Sequence, residues 1–281
     1  MSQVTQVWDV VELARHPQRP YASDYIRLLA PDFLELHGDR LGGDDGALVA
    51  GVGTWRGRTA MFMGQQKGRN LAERVKRNFG MMHPEGYRKA LRLARQAAKF
   101  EFPIINLIDT PGAFPGAGAE RRGIAAAIGT AIMEWFQVQV PVVAAIIGEG
   151  GSGGALGMAV ADRVIMLENS IYSVAAPEAA ASIVWRDSSR KIEAAEQLQI
   201  TSRDMIAMGV VEEVVPEPGE GAHTDLEETA RRLDDALHRH LSPLVGMSPA
   251  QLMQHRYDRY RYIDSLIRAE PTFGPKVGDR P

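Results

Sequence analysis

Ile147-Gly-Glu-Gly-Gly-Ser-Gly-Gly-Ala-Leu156 is the stretch of sequence that decides the fold of this chain. Apolar residues dominate positions 140–147 before the glycines and positions 155–162 after them. This order predicts a buried strand, a glycine-rich loop over residues 148–154 and a short helix. Glycines at such a junction leave backbone N–H groups accessible beside a helix N-terminus, which is a favourable place for an anion.

The same order of strand, loop and helix occurs once earlier in the chain. Residues 103–108 predict a buried strand, 109–118 a loop and 122–136 an alanine-rich helix. Before them, residues 84–99 predict a helix, because a proline and a glutamate precede an apolar stripe at helical spacing. Continuous apolar strands that alternate with helices are typical of the parallel sheet in an α/β fold.

Antiparallel strands and further helices complete the predicted architecture. Residues 47–55 and 58–64 predict a hairpin that turns at Arg56-Gly57. Other predicted elements are an entry helix (21–36), a strand (163–167) and two closing helices (225–241 and 249–267). We divide this single domain into an N-terminal helical segment (1–46), a core (47–223) and C-terminal helices that pack on the core or on a partner (224–281).

Composition excludes several classes of protein. The 281 residues are 45% hydrophobic and 24% charged, as expected of a folded, water-soluble protein. The net charge of −3 gives the surface no overall positive potential that would attract nucleic acid. The absence of cysteine excludes disulfides, thiolate nucleophiles and cysteine-bound metals, and the seven histidines are scattered, so we expect no metal site. No secretory signal precedes residue 20, and no apolar run approaches the roughly 20 residues of a membrane helix, so we expect a cytoplasmic protein.

The glycines at 148–154 admit several interpretations. Gly148-x-Gly150-x-x-Gly153 matches the fingerprint of a dinucleotide-binding strand-to-helix turn. Gly150-Gly-Ser152-Gly-Gly154 matches the GxSxG turn of serine hydrolases, for which His223 follows in the expected order. The glycines also suit close strand-helix packing with no chemical role.

In a further interpretation, the backbone amides themselves are the functional groups. The N–H groups of the glycine-rich loops would donate to an anion, as in an oxyanion hole, and Ser152 would be a small residue without a chemical role. The first loop ends the preceding strand, so Gly112 and Ala113 are expected to line the same crevice. This interpretation explains why neither loop carries an obvious pair of nucleophile and base.

Several long motifs, in order along the chain, closely resemble the alpha subunit of bacterial acetyl-coenzyme A carboxylase carboxyltransferase. The resemblance covers residues 8–262. The motifs that carry it are Ala14-Arg-His-Pro-Gln-Arg-Pro-Tyr21, Gly64-Gln-Gln-Lys-Gly-Arg69, Arg77-Asn-Phe-Gly80, Pro84-Glu-Gly-Tyr-Arg-Lys-Ala-Leu91, Ile108-Asp-Thr-Pro-Gly-Ala113, Ile147-Gly-Glu-Gly-Gly-Ser-Gly-Gly-Ala-Leu156 and Tyr172-Ser-Val174.

The resemblance implies a fold, a reaction and a site. The fold would be crotonase-like (the ClpP/crotonase fold), made of repeated ββα units with additional helices at both ends. The reaction would move carboxylate from carboxybiotin to acetyl-CoA, giving malonyl-CoA for fatty acid synthesis. By resemblance, the amides of Gly153 and Gly154 are the catalytic oxyanion donors, and Gly112, Ala113, Gly150 and Gly151 line the substrate site.

The resemblance also implies partners. A zinc-ribbon beta subunit would complete the active site, in an alpha2beta2 heterotetramer that works with the biotin carboxyl carrier protein and biotin carboxylase. No cofactor would be bound covalently to this chain, because the carrier delivers carboxybiotin and the coenzyme A thioester is a substrate. The family often has tyrosine where this chain has Phe114, which removes a hydroxyl group from the first loop.

Two charged stretches remain. The run from residue 67 to 99 holds ten basic residues against two acidic ones, and Arg74, Lys76 and Arg77 in it are predicted to bind coenzyme A phosphates or an acidic carrier, unless the run is a solvated helix face. Residues 255–262 interleave bases with aromatic rings, but helical spacing favours a ring-lined stripe around Tyr257 and Tyr260 that docks on protein, so nucleic acid is not the expected partner.

Overall fold

The structure is a computed structural model and describes residues 6–269. Its helices are α1 (Val7–Ala14), α2 (Ala22–Leu29), α3 (Leu71–Lys76), α4 (Pro84–Lys99), α5 (Ala117–Arg121), α6 (Ile124–Trp135), α7 (Ser152–Ala159), α8 (Pro177–Trp185), α9 (Lys191–Leu198), α10 (Ser202–Ala207), α11 (Leu226–Leu241) and α12 (Pro249–Ala269). Its strands are β1 (Leu34–Glu35), β2 (Leu48–Trp55), β3 (Arg58–Gln65), β4 (Ile104–Thr110), β5 (Val142–Gly151), β6 (Arg163–Leu167), β7 (Ile171–Ser173) and β8 (Glu213–Val215).

One mixed sheet of eight strands organises the described residues. Its order is β1-β2-β3-β4-β5-β6-β8, and β7 pairs with the far end of β5. β2 is antiparallel to both of its neighbours, β1 and β3, and every pairing from β3 onward is parallel. Because β3, β4 and β5 are parallel neighbours, their carboxyl ends meet at one edge of the sheet, where α/β folds bind ligands.

The alternation of side chains along β4 and β5 divides the core into two layers. Every residue of both strands is buried. Ile104 and Ile146 face one cluster, which α4, α6 and α7 cover, whereas Ile105 and Ile147 face a second cluster, which α2 and α11 cover. Helices on both faces explain why these strands are continuously apolar.

Several sequence-based predictions are confirmed. The hairpin of β2 and β3 turns at Arg56-Gly57, where both residues have positive φ (47° and 80°), as a type I′ turn requires. The predicted helix 84–99 and strand 163–167 match α4 and β6 at both ends. The two closing helices are present as α11 and α12.

The predicted entry helix over residues 21–36 is too long. Helix α2 ends at Leu29, and Ala30 is extended (φ −143°, ψ 82°) because Pro31 disfavours helical geometry in the residue before it. Leu34 and Glu35 then form the edge strand β1 against β2. The N-terminal segment is therefore not wholly helical.

The predicted ring-lined face of the C-terminal helix is only partly correct. Leu252 and Arg256 of α12 are buried, while Tyr257 is exposed. Tyr260 does pack on the body, with its ring centroid 5.2 Å from that of Phe136. In the range 6–269, no helix combines the length and apolar character needed to span a bilayer.

Candidate active site at the carboxyl ends of β4 and β5

The glycine-rich stretch is not a loop, contrary to the sequence-based prediction. Strand β5 continues through Gly151, and α7 begins at the next residue, Ser152. Ser152 has a left-handed backbone conformation (φ +54°), so the change from strand to helix takes place at this single residue. Parallel pairing with β4 and β7 holds residues 148–151 extended, because both neighbours offer backbone hydrogen bonds there.

Three of the glycines are required by packing. A Cβ atom on Gly148 would lie 2.4 Å from Asp109 Oδ1, one on Gly150 2.8 Å from the Tyr172 ring, and one on Gly151 2.2 Å from the carbonyl oxygen of Pro111. Since residues 148–151 form a strand rather than a phosphate-binding turn, the dinucleotide interpretation is wrong. A direct role for Gly150 and Gly151 in binding substrate stays a prediction.

Gly154 lies against the first loop. A Cβ atom on it would lie 2.3 Å from the carbonyl carbon of Gly112 and 2.4 Å from the amide nitrogen of Ala113. Gly153 is only half-buried, and a Cβ atom there would be at an ordinary 3.6 Å from Ile128. The structure thus brings together Gly112, Ala113, Gly153 and Gly154, four of the residues that the sequence assigned to one site.

The N-terminus of α7 keeps its amides available. No side chain caps it, and within the described residues the Gly153 and Gly154 N–H groups donate to no side chain and to no backbone oxygen outside the helix. The first amides of a helix have no acceptor within the helix itself. Gly153 is half-buried, so its amide lies at the edge of the protein where a charged ligand can reach it.

A buried ion cluster lies at the same carboxyl ends of β4 and β5, and the sequence analysis missed it. Lys67 Nζ lies 2.7 Å from Asp109 Oδ1 and 2.8 Å from Glu149 Oε1, joining the carboxyl ends of β3, β4 and β5. Burial alone would lower the pKa of Lys67, but the two carboxylates outweigh it and raise that pKa, so the lysine is charged. The basic run that includes Lys67 predicted either a binding site for phosphates or an acidic carrier, or a solvated helix face, and not a buried ion cluster. The available signal was the position of Lys67 directly after a predicted strand.

Arg15 extends the cluster to the helices. Its Nε donates to Glu149 at 2.8 Å, and its Nη1 donates to Glu178 at 2.7 Å in the first turn of α8. Although burial would raise the pKa of Glu149, Lys67 and Arg15 lower it below the ordinary value. Lys67, Arg15 and Glu149 are therefore charged, whereas burial raises the pKa of Asp109 above its ordinary value. Each carboxyl group of the cluster is paired with a cation, so none of them is an unengaged general base.

The structure does not support a serine nucleophile. Ser152 is exposed, and in the described part of the chain its hydroxyl group makes no hydrogen bond to a histidine or a carboxylate. His223, the predicted partner, instead stacks on His16 with 3.9 Å between ring centroids. A serine hydrolase needs a base within hydrogen-bond reach of the hydroxyl, so the GxSxG match has no catalytic partner here.

The three predicted basic residues take different positions. Arg74 Nε donates to the Gly68 carbonyl at 3.1 Å and Arg77 Nη1 to the Gly46 carbonyl at 2.9 Å, so both brace loops. Lys76 is exposed on α3. The segment after α3 reaches the first loop through a hydrogen bond from the Phe114 amide to the Met82 carbonyl. The structure does not bring the three cations into contact with Gly153 or Gly154.

Comparison with solved structures places the fold in a known class. The fold of this chain is similar to that of transcarboxylase 12S, with a TM-score of 0.64, 21% identity, and coverage of 84% of this chain and 44% of that one. It is also similar to a chain of a Pseudomonas malonate decarboxylase hetero-tetramer, with a TM-score of 0.67, 17% identity, and coverage of 88% and 98%. The chain therefore has the crotonase-like fold of carboxyltransferases, as predicted.

Sequence comparison gives the particular family. Residues 1–264 match the model of the family described as acetyl co-enzyme A carboxylase carboxyltransferase-like. A carboxyl transferase subunit alpha of acetyl-coenzyme A carboxylase from Synechococcus elongatus is 50% identical over 259 residues, which cover 92% of this chain and 79% of that protein. The chain belongs to the family of acetyl-coenzyme A carboxylase carboxyltransferase alpha subunits.

Proposed function

We propose that this chain is one half of a carboxyltransferase that moves a carboxyl group from carboxybiotin to acetyl-CoA and forms malonyl-CoA, the committed precursor of fatty acids. The observation that carries the proposal is the uncapped N-terminus of α7, where the amides of Gly153 and Gly154 adjoin the Gly112–Ala113 backbone. Backbone amides fixed at the start of a helix stabilise negative charge without having to reorganise.

Charge development explains why amides suffice. Carboxybiotin would supply the activated carboxyl group, and its ureido oxygen gains negative charge as the carboxyl group leaves. The Gly153 and Gly154 N–H groups would donate to that oxygen, and each well-aligned donor of this kind is worth about 3 kcal/mol in the transition state. The bond between the biotin ureido nitrogen and the carboxyl carbon would break, the biotin anion would take a proton from the acetyl methyl group, and the resulting enolate carbon would bond to the carboxyl carbon.

A partner subunit is the expected holder of the thioester. Apolar side chains are exposed on and beside α7, notably Leu156 and Met133, and on the adjacent segment that includes Val174, Ile183 and Val184. Large exposed apolar patches mark protein interfaces. We infer that a homologous, zinc-ribbon beta subunit covers this face in an alpha2beta2 assembly and holds the enolate of acetyl-CoA.

The substrates arrive as charged groups. Lys76, exposed on α3, is the member of the predicted basic set that is available to coenzyme A phosphates or to an acidic carrier protein. Arg74 and Arg77 would act by bracing the loops beneath it. We propose that the biotin carboxyl carrier protein delivers carboxybiotin to this face, that biotin carboxylase recharges it, and that all of them work in the cytoplasm.

Reconstitution tests the proposal. The purified chain is mixed with the beta subunit, carboxylated carrier protein and acetyl-CoA, and malonyl-CoA is measured. We expect product only when both subunits are present, and we expect Ser152→Ala to retain activity within about twofold because no base contacts that hydroxyl group. Full activity from the beta subunit alone, or loss of activity in Ser152→Ala, would contradict it.

A further inference from the structure

Four buried side chains donate hydrogen bonds to the backbone of the short helix α7. Trp135 Nε1 donates to the Gly157 carbonyl and Asn106 Nδ2 to the Met158 carbonyl, each at 2.8 Å. Those two carbonyls lie in the last turn of the helix, where carbonyl groups ordinarily need external donors. The other two donors act at the opposite end of the helix.

That opposite end carries the candidate oxyanion amides. Gln65 Nε2 donates to the Gly154 carbonyl at 2.9 Å, and the Tyr87 hydroxyl group donates to the same oxygen at 3.3 Å. Both side chains are fully buried. Burial raises the pKa of Tyr87 well above its ordinary value, so its hydroxyl group stays protonated and remains a donor.

The orientation of the Gln65 amide group is fixed by its surroundings. Its Nε2 also lies 3.5 Å from Met82 Sδ, whereas its Oε1 is buried without a hydrogen-bond partner in the described residues. Rotating the amide group would place Oε1 against the Gly154 carbonyl oxygen, where two acceptors repel each other. In this orientation Nε2 donates to the Gly154 carbonyl, and Oε1 stays buried without a partner. A buried oxygen without a hydrogen bond lowers stability, so the donated hydrogen bond must compensate for it.

The first turn of α7 needs such a restraint. It contains Ser152 at positive φ followed by two glycines, and it has no side-chain cap. Glycine has the greatest backbone freedom of any residue, so the direction of these amides is poorly fixed by local sequence. Misplacing a catalytic donor by about 1 Å can cost on the order of 100-fold in rate.

We propose that Gln65 and Tyr87 are positioning residues, which hold the Gly154 carbonyl oxygen and so fix the first turn of α7, whose Gly154 and Gly153 N–H groups lie one and two peptide units before that carbonyl. This inference rests on the proposed function of those amides. It gives a role to Gln65 in the motif Gly64-Gln-Gln-Lys-Gly-Arg69 and to Tyr87 in the motif that starts at Pro84. Neither residue touches the reacting groups.

The test uses the assembled enzyme with both subunits. Gln65→Met removes the donor at similar length, and Tyr87→Phe removes one hydroxyl group and keeps the ring. We expect kcat to fall at least about tenfold in the first variant and a few-fold in the second, with KM for acetyl-CoA unchanged, because the amides move while the partner still holds the thioester. The double variant should lose more than either single one.

Asn106→Leu is the matched control, since it removes a buried donor from the other end of the same helix. It should lower the unfolding temperature about as much as Gln65→Met does and leave kcat within about twofold. Equal loss of kcat in Asn106→Leu and Gln65→Met, or unchanged kcat in both Gln65→Met and Tyr87→Phe, would overturn the positioning role.

A separate measurement distinguishes failure of this inference from failure of the proposed function. Replacing the residue 153 amide with an ester removes that N–H directly. If the ester abolishes activity while Gln65→Met is fully active, only the positioning role is wrong. If the ester form is fully active, the amide is not a catalytic donor, and the proposed role of that amide and this inference fail together.

Discussion

Gly153 and Gly154 are neighbours with different requirements. Gly154 is packed against the Gly112–Ala113 backbone, so its lack of a side chain is needed for the fold itself. Gly153 is half-buried with room for a methyl group, so packing does not require glycine there. The structure thus separates the residue that seats the helix from the residue whose amide is open to a ligand.

Alanine substitutions distinguish the two glycines. Gly154→Ala places a Cβ atom 2.3 Å from backbone, and we expect overpacking to lower the free energy of unfolding by about 1–3 kcal/mol or more. Gly153→Ala has a nearest contact of 3.6 Å and gains helix propensity, so its unfolding temperature should be unchanged or higher. Thermal unfolding of both variants is the measurement, and equal stabilities would contradict the packing argument.

Sequence could locate these residues but could not separate them. The motif and its position after a strand predicted an anion site, and the resemblance assigned Gly153 and Gly154 to it, with Gly112 and Ala113 lining the same crevice. Which glycine is packed depends on atoms that are far away in sequence, such as Asp109 Oδ1 beside Gly148. For the same reason, the partners of Lys67 were not predictable, because charge runs do not reveal which residue is buried.

Among the elements, α12 shows how a charged residue can anchor a helix. Arg256 is fully buried and donates to both oxygens of Asp162, at 3.1 and 2.8 Å, and to the carbonyls of Trp135, Val138 and Val140. Periodicity predicted the helix and a ring-lined stripe around Tyr257 and Tyr260, but it did not predict a buried arginine, which is rare without such a set of acceptors.

Removing that anchor should detach the helix. Arg256→Met leaves the buried Asp162 carboxylate without its partner, and we expect a loss of about 3–5 kcal/mol in the free energy of unfolding. Arg261→Met is the control, because Arg261 is exposed on the same helix and should change stability by less than about 0.5 kcal/mol. Denaturant unfolding followed by circular dichroism measures both, and similar losses would contradict the anchoring role.

Across the whole molecule, buried charges join segments that are distant in the chain. Arg19 Nη2 lies 2.5 Å from Glu217 Oε1, and Arg19 Nε donates to the Ile147 carbonyl at 2.7 Å, directly before the glycine-rich end of β5. Glu217 also accepts from the Ala222 amide at 2.7 Å. The linker between α1 and α2 is thus tied to both the central strand and the segment after β8.

The Arg19–Glu217 pair makes stability depend on pH. Burial would raise the pKa of Glu217, but Arg19 outweighs it, and the folded-state pKa lies below the ordinary value of 4.5. A carboxyl group with a lowered pKa contributes stability that is complete above its unfolded pKa and is lost as pH falls through its folded pKa. Stability should therefore fall below about pH 4.5.

Substitution isolates that contribution. Glu217→Gln should be less stable than the wild type at pH 7 by about 3–5 kcal/mol, and the difference should shrink as pH falls below 4.5. Glu220→Gln, at an exposed position nearby, should follow the wild-type curve. Urea unfolding at a series of pH values measures this, and a difference that is constant with pH would contradict the assignment.

The central claim is that the main-chain amide of residue 153 stabilises charge during carboxyl transfer. The most direct measurement replaces that residue with glycolic acid, which exchanges N–H for an ester oxygen, and determines kcat in the assembled enzyme. Lactic acid in place of Ala250, an exposed position at the same place in the first turn of α12, is the control. We predict a fall in kcat of about 100- to 1000-fold at residue 153 and little change at residue 250. Equal kcat in the two ester variants would contradict the claim.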